Sequence, residues 1–270
     1  MPRPNPPTPY QEVNRLLAAL TDGLQAQFGQ KLIGIYCYGS LIWGECDPSL
    51  SDIDLAAILS TPVTTEELEK LRGFHARLAQ AFPAWEDRIE AQYVSRQSLA
   101  CFRTQETTMA NISPGEPLHF VPCNADWLTN WYFVLTYGRA LAGPPAAEVV
   151  PHIADEEFFN AIRTDAAAWR EYVQNTRRSR AYQGYAILTL CRAYTTLATG
   201  KQVSKREAAA YVAEQMPGKR PLIEQAQMCI RDRVNTGHIR FIGLLPDGFP
   251  VLVQRDTFRP LEDPFYEYPE

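Results

Sequence analysis

The stretch Tyr36–Leu59, "YCYGSLIWGECDPSLSDIDLAAIL", constrains this chain more than any other. An apolar run ends at Gly39-Ser40, and eleven residues (41–51) separate that turn from Asp52, which opens Asp-Ile-Asp at the head of a second apolar run. Carboxylates two apart on a strand share a face, so Asp52 and Asp54 point one way while Ile53 and Leu55 point into a core. Packing gains nothing from that pairing, and a cation supplies the reason for it. Gly39 has no Cβ, which lets backbone N–H groups approach a ligand, and Ser40 adds a hydroxyl. A helix beginning just after the turn would favour a phosphate at its N-terminus. Two carboxylates plus phosphate oxygens suit Mg²⁺, which seldom takes an all-protein cage. Glu90, inside the strand pattern "RIEAQYVS", would add a third carboxylate able to bind metal and to accept a hydroxyl proton.

Each piece alone has a plain structural reading: a turn, a strand-edge acidic pair, an edge-strand charge at Glu90, a loop-ordering hydroxyl at Ser51. Their order is what is specific. "YQEVNRLLAALTDGLQAQFG" carries apolar residues at helical spacing (Val13, Leu16, Leu17, Leu20, Leu24). "KLIGIYCYG" and "SDIDLAAIL" read as strands. "TTEELEKLRGFHARLAQAFP" opens on a capping box, Thr64 with Glu67, and reads as a helix. Helix, strand, turn, strand, helix, strand is a small α/β unit over residues 10–96. The proline-bearing stretch 96–122 reads as an irregular interdomain connection. Beyond it "ADWLTNWYFVLTYGRAL", "DEEFFNAIRTDAAAWREYVQNT", "YQGYAILTLCRAYTTLATG" and "SKREAAAYVAEQM", the last with a second capping box (Ser204 with Glu207), predict a helical bundle. From residue 218 onward the texture changes, and Pro-Asp-Gly within "FIGLLPDGFPVLV" predicts a hairpin.

Composition narrows the partners. A 270-residue chain with 46% hydrophobic residues, 21% charged and net charge −5 is an ordinary globular protein, poorly suited to coating nucleic acid or anionic membrane. No apolar run approaches the about 20 residues of a membrane span. The opening "MPRPNPPTPY" lacks the apolar core of a signal peptide, which suggests a cytoplasmic protein with an extended lead-in. Six cysteines without a C-x-x-C pair and four scattered histidines make a zinc site improbable. Residues 41–95 hold ten Asp/Glu against four Lys/Arg, whereas residues 161–210 hold nine Lys/Arg against three Asp/Glu. Acidic half against basic half is what a metal–triphosphate complex needs.

The Gly-Ser and Asp-x-Asp pattern resembles the nucleotidyltransferase superfamily. "LTLCRAYTTLATGKQVSKREAAAYVAEQMP", "YGRALAGPPAAEVV" and "FFNAIRTDAAAW" resemble the helical domain of the streptomycin/spectinomycin adenylyltransferases. That resemblance implies an α+β chain: a nucleotidyltransferase domain over 10–120 (a small mixed sheet flanked by helices) after a lead-in over 1–9, an all-α bundle over 121–217, and a divergent tail over 218–270. It implies that Gly39, Ser40 and Ser51 hold the phosphates of ATP, that Asp52 and Asp54 (with Glu90) bind Mg²⁺, and that Glu90 is the base. Arg192 and Lys205 would reach across from the helical domain to ATP. Asp126, Trp127 and Trp169 would line the acceptor pocket. The implied reaction moves AMP from ATP to a hydroxyl of an aminoglycoside or aminocyclitol antibiotic.

The family's drug pocket carries acidic residues just before the helix that begins near Tyr182. Here "VQNTRRSRAYQGYAIL" places Arg177, Arg178 and Arg180 instead. Like charge repels a cationic drug, which leaves a neutral or acidic small molecule, or a protein, as alternative acceptors. A non-catalytic nucleotide-binding homologue is the competing class, and the presence of all four of Ser40, Asp52, Asp54 and Glu90 weighs against it.

Overall fold

In the computed structural model, the structure describes residues 7–42, 44, 46–49, 51–172, 180–235, 239–244 and 250–254. The order is α1 (Gln11–Phe28), β1 (Leu32–Tyr38), β2 (Ile53–Leu59), α2 (Thr65–Ala81), β3 (Ile89–Ser95), α3 (Arg96–Cys101), β4 (Thr107–Ser113), β5 (Glu116–Cys123), α4 (Leu128–Tyr137) and β6 (Arg139–Ala142). Then come α5 (Asp155–Tyr172), α6 (Arg180–Thr199), α7 (Lys205–Gln215), α8 (Arg220–Asn235) and the strands β7 (Ile239–Leu244) and β8 (Pro250–Gln254). Strands β1 to β6 form one sheet in the order β5-β4-β3-β2-β1-β6. β2 and β3 run parallel and the remaining neighbours antiparallel, so the sheet is mixed and the chain is α+β.

The two sheet faces bury different sequence. The apolar stripe of α1 (Val13, Leu16, Leu17, Leu20, Leu24) packs with Leu68, Leu71 and Leu78 of α2 onto Ile53, Leu55, Ala57 and Leu59. Each leucine withdrawn from water there contributes about 2 kcal/mol. The opposite face, with Tyr36, Ala56, Ile58, Val94 and Met109, is covered by Leu99 of α3, by Leu128, Trp131 and Val134 of α4, and by Phe158 of α5. Phe158 stacks on Tyr132 at 3.9 Å between ring centroids, joining the helical half to the sheet. In the bundle, Leu188 and Cys191 of α6 meet Ala208, Ala209, Val212 and Ala213 of α7 and Ile223 and Ala226 of α8. Both expected capping boxes form: Thr64 with Glu67 starts α2, and Ser204 with Glu207 starts α7.

Several expectations are corrected. The stretch 96–122 is no irregular connection, because it forms α3 and the β4–β5 hairpin. Pro117 and Pro122 are tolerated because β5 is the edge of the sheet, where an absent N–H costs no ladder bond. The boundary expected at 120 therefore cuts β5, and β6 returns beyond α4 to pair with β1. "RAL", read as the end of a helix, lies in that strand. The bundle does not stop at 217, since α8 packs beside α6 and α7. β7 and β8 pair antiparallel, with Phe241 opposite Leu252. Of the lead-in, residues 1–6 lie outside the described residues, whereas Thr8 is buried. Its N–H donates to Asn14 Oδ1 at 2.9 Å, and the Arg139 guanidinium donates to the Pro7 carbonyl at 2.8 Å. No described helix is long and apolar enough to cross a membrane.

Candidate active site

The ends of β1, β2 and β3 bring the acidic residues together through backbone register alone. Tyr38 lies opposite Asp54, and Asp54 lies beside Glu90 on the parallel neighbour. Cross-strand partners share a face, so Asp54 and Glu90 project side by side. Asp52, two residues before Asp54 and just ahead of β2, has the same parity and lines the same cleft. Burial, then the nearby Glu90 and Asp52, holds the Asp54 carboxyl well above the usual carboxylate range, with Lys205 and Arg192 pulling the other way. Burial first and Asp52 second raise Glu90 to about 7, opposed by Lys205 and by the Gln92 side chain. Among the described residues, no three His, Cys, Asp or Glu side chains form a metal-holding group on their own.

Gly39, in the single 3-10 turn Gly39–Leu41, has φ +73°, a conformation that favours glycine. Ser40 follows it onto the cleft wall. Ser51 faces the cleft and also ties its own loop: its hydroxyl accepts the Asp47 N–H at 2.9 Å, and its N–H donates to the Asp47 carbonyl at 2.7 Å.

Arg88 is a buried cation that the sequence reading missed. Its guanidinium donates to the carbonyls of Pro48 and Ala84, each at 3.0 Å, and to that of Ser51, and it lies 4.3 Å over the Trp85 ring. Asp52 is among its charged neighbours. Arg88 thereby clamps the loop that delivers Ser51 and Asp52. Its only sequence signal was a cation two residues before Glu90, within "EDRIE".

From the helical half, Arg192 on α6 and Lys205 at the start of α7 approach this acidic row. Arg192 is charge-coupled to Asp54, and Lys205 to both Asp54 and Glu90. Their side chains rest on aromatic rings, Arg192 at 5.8 Å from the Phe133 centroid and Lys205 at 4.5 Å from that of Tyr185. The carboxylates and both cations line one cleft of about 1250 Å³.

The acceptor side of that cleft differs in part from expectation. Trp169 lines it, with Tyr185 at 6.2 Å between ring centroids. Asp126 and Trp127 are not on its wall. The Trp127 indole N–H donates to the Pro122 carbonyl at 3.0 Å and the ring packs near Trp131, so it is a packing residue at the start of α4. Thr129, Asn130 and Phe133 are the α4 residues that face the cleft instead, and α5 adds Asp165. Asp126 and Trp127 precede α4, in the 3-10 turn Ala125–Trp127, so the α-helical spacing that brings 129, 130 and 133 onto one face does not extend to them. Gln227 of α8 also reaches the wall, so the segment beyond 217 takes part in the site. Arg177 and Arg178 lie outside the described residues, and Arg180 is exposed at the start of α6.

Residues 148–238 match the sequence model of the aminoglycoside adenylyltransferase C-terminal domain. An aminoglycoside (3'')(9) adenylyltransferase of Shigella flexneri is 24% identical over 239 residues, covering 80% of this chain and 84% of that protein. One of Escherichia coli matches to the same extent, 24% over 239 residues. Among solved structures, the crystal structure of spectinomycin adenyltransferase AAD(9) from Enterococcus faecialis with ATP and spectinomycin has a TM-score of 0.65 and 21% identity, covering 82% of this chain and 89% of that one. The sheet with its helices and the bundle behind it are therefore the fold of that enzyme. The chain is thus similar to the aminoglycoside adenylyltransferases along most of its length, and its residues 148–238 match the model of that family's C-terminal domain.

Proposed function

We propose that this protein is a Mg²⁺-dependent adenylyltransferase that moves AMP from ATP to a hydroxyl of an aminoglycoside or aminocyclitol. The observation that carries the reading is the opposition, across one cleft, of the Asp54–Glu90 strand pair to Arg192 and Lys205. Carboxylates on one wall and cations on the other fit a triphosphate with its metal. The residues suit Mg²⁺: hard carboxylate oxygens and a buried like-charged pair that a cation would relieve. Asp52 and Asp54 would hold the ion, which when bound neutralises charge on the phosphates.

Gly39 and Ser40 bind the phosphates at the turn, and Arg192 and Lys205 hold them from the other side. Glu90 takes the proton of the acceptor hydroxyl. The freed oxygen forms a bond to the α-phosphorus as the bond from that phosphorus to the bridging oxygen breaks, and pyrophosphate leaves. Asp165 on the cleft wall, with the Trp169 and Tyr185 rings, supports a cationic ring-bearing acceptor.

The test is pyrophosphate release from Mg²⁺ and ATP with spectinomycin, streptomycin, and neutral or acidic hydroxyl compounds, with mass spectrometry for an added AMP. Release with an aminoglycoside or aminocyclitol is the expected result. Release only with neutral or acidic compounds would replace the acceptor, and metal-dependent ATP binding without any release would leave a nucleotide-binding protein.

A further inference from the structure

Behind the acidic row lies a second row of polar side chains that neither metal nor phosphate needs. Gln92, two residues beyond Glu90 on the same face of β3, is fully buried at 0% exposure. Its Oε1 accepts the Tyr38 hydroxyl at 2.6 Å. Its Nε2 donates to Asn111 Oδ1 at 3.1 Å and to Glu90 Oε1 at 3.4 Å. Asn111 is held in turn, its Nδ2 donating to Ser113 Oγ at 3.0 Å. Tyr38 also shares a side-chain hydrogen bond with Asn130, an α4 residue on the cleft wall.

A buried amide in mid-sheet is costly to desolvate and is retained only when its partners are supplied. An apolar side chain of similar size would fill the position beside Ala56 without needing them. This chain supplies them from β1, β3 and β4, and among the described residues the charged group that the amide bonds is the Glu90 carboxylate.

We propose that Gln92 is a positioning residue for Glu90: its amide, fixed by Tyr38 and Asn111, anchors one carboxylate oxygen and leaves the other for the acceptor hydroxyl. The inference rests on the adenylyl-transfer reading. Tyr38 carries the alignment through to Asn130, so the helix that lines the cleft and the base are set by one hydrogen-bonded chain. A rotating carboxylate would lose the near-attack geometry that a transfer reaction depends on.

The experiment compares wild type with Gln92→Met and Tyr38→Phe, measuring steady-state pyrophosphate release with Mg²⁺ and ATP, calorimetric ATP affinity and melting temperature. Gln92→Met is expected to lower kcat by about 10- to 100-fold, with ATP affinity and acceptor KM within about twofold of wild type. Tyr38→Phe, which leaves the amide in place but frees its carbonyl end, is expected to lose about 3- to 10-fold in kcat. In a Glu90→Gln background the Gln92→Met change should cost nothing further, because residues acting through one group are not additive. Unchanged kcat in Gln92→Met, an additive loss in the double variant, or equal losses of kcat, ATP affinity and melting temperature would overturn the inference while leaving the reaction standing. A folded wild type that binds ATP but transfers nothing would remove the reaction, and this inference with it.

Discussion

The α-carbon of Gly39 faces the carboxylate of Asp54 so closely that a Cβ at position 39 would overlap Asp54 Oδ2. The same residue sits at φ +73°, so a side chain there is strained twice over, by its backbone and by its neighbour. The turn and the strand that follows it are thus matched to each other. Gly39→Ala should push the Asp54 carboxylate out of line and lower turnover by about 100-fold or more, with stability reduced by about 1–3 kcal/mol. Pyrophosphate release beside a thermal melt checks this, and near-normal turnover would mean that Asp54 can move without loss.

Asp54→Asn should separate stability from activity. Burial and two like-charged neighbours raise the Asp54 carboxyl above its unfolded value, so its ionised form costs the metal-free fold stability at neutral pH. The amide removes that cost, and the apo variant should melt higher by ~2–4 °C for each ~1 kcal/mol recovered. Turnover should fall by about 1000-fold or more, and Mg²⁺ with ATP should no longer raise the melting temperature as it does in wild type. A lower apo melting temperature would show that the carboxylate is stabilising as it stands.

Arg88→Met tests the loop clamp. The variant leaves the carbonyls of Pro48, Ser51 and Ala84 without their charged donor, at a cost of about 2–4 kcal/mol. Because the released loop carries Ser51 and Asp52, KM for ATP should rise about tenfold or more while acceptor KM changes little. Chemical denaturation with steady-state kinetics measures both, and an unchanged ATP KM would confine Arg88 to a structural part.

His75 gives the fold an acid-sensitive point away from the cleft. It is buried on α2 and shares a 2.6 Å hydrogen bond with the Tyr93 hydroxyl of β3. Burial holds its pKa down to about 4, below the ordinary 6.5. The unfolded chain therefore takes up the proton first, so stability is fully present above about pH 6.5 and drains as pH falls toward 4, by roughly 3 kcal/mol in all. His75→Gln, which keeps an acceptor for Tyr93, should flatten that part of the stability–pH profile. Parallel profiles for the two proteins between pH 6.5 and 4 would remove His75 from the acid response.

What the sequence determined is what depends on near neighbours along the chain. The α1 stripe, the two capping boxes, the strand on either side of Gly39-Ser40 and the shared parity of Asp52 and Asp54 all follow from local periodicity and short-range hydrogen bonds, and all are present. The β4–β5 hairpin was not legible, because Pro117 and Pro122 read as breakers until the sheet order makes β5 an edge. Nor was the choice of cleft residues on α4: Trp127 and Phe133 are equally apolar in the sequence, and only the packing of α4 on the sheet and α5 sends one to the Pro122 carbonyl and the other to the cleft. Gln92 and Asn111 are ordinary polar letters until β3 and β4 pair in register and bury them behind Glu90, and Arg88 is one until the loop before β2 folds onto its guanidinium. Local chemistry sets which elements form, while the burial that turns a polar side chain into a constraint arises only when distant strands meet.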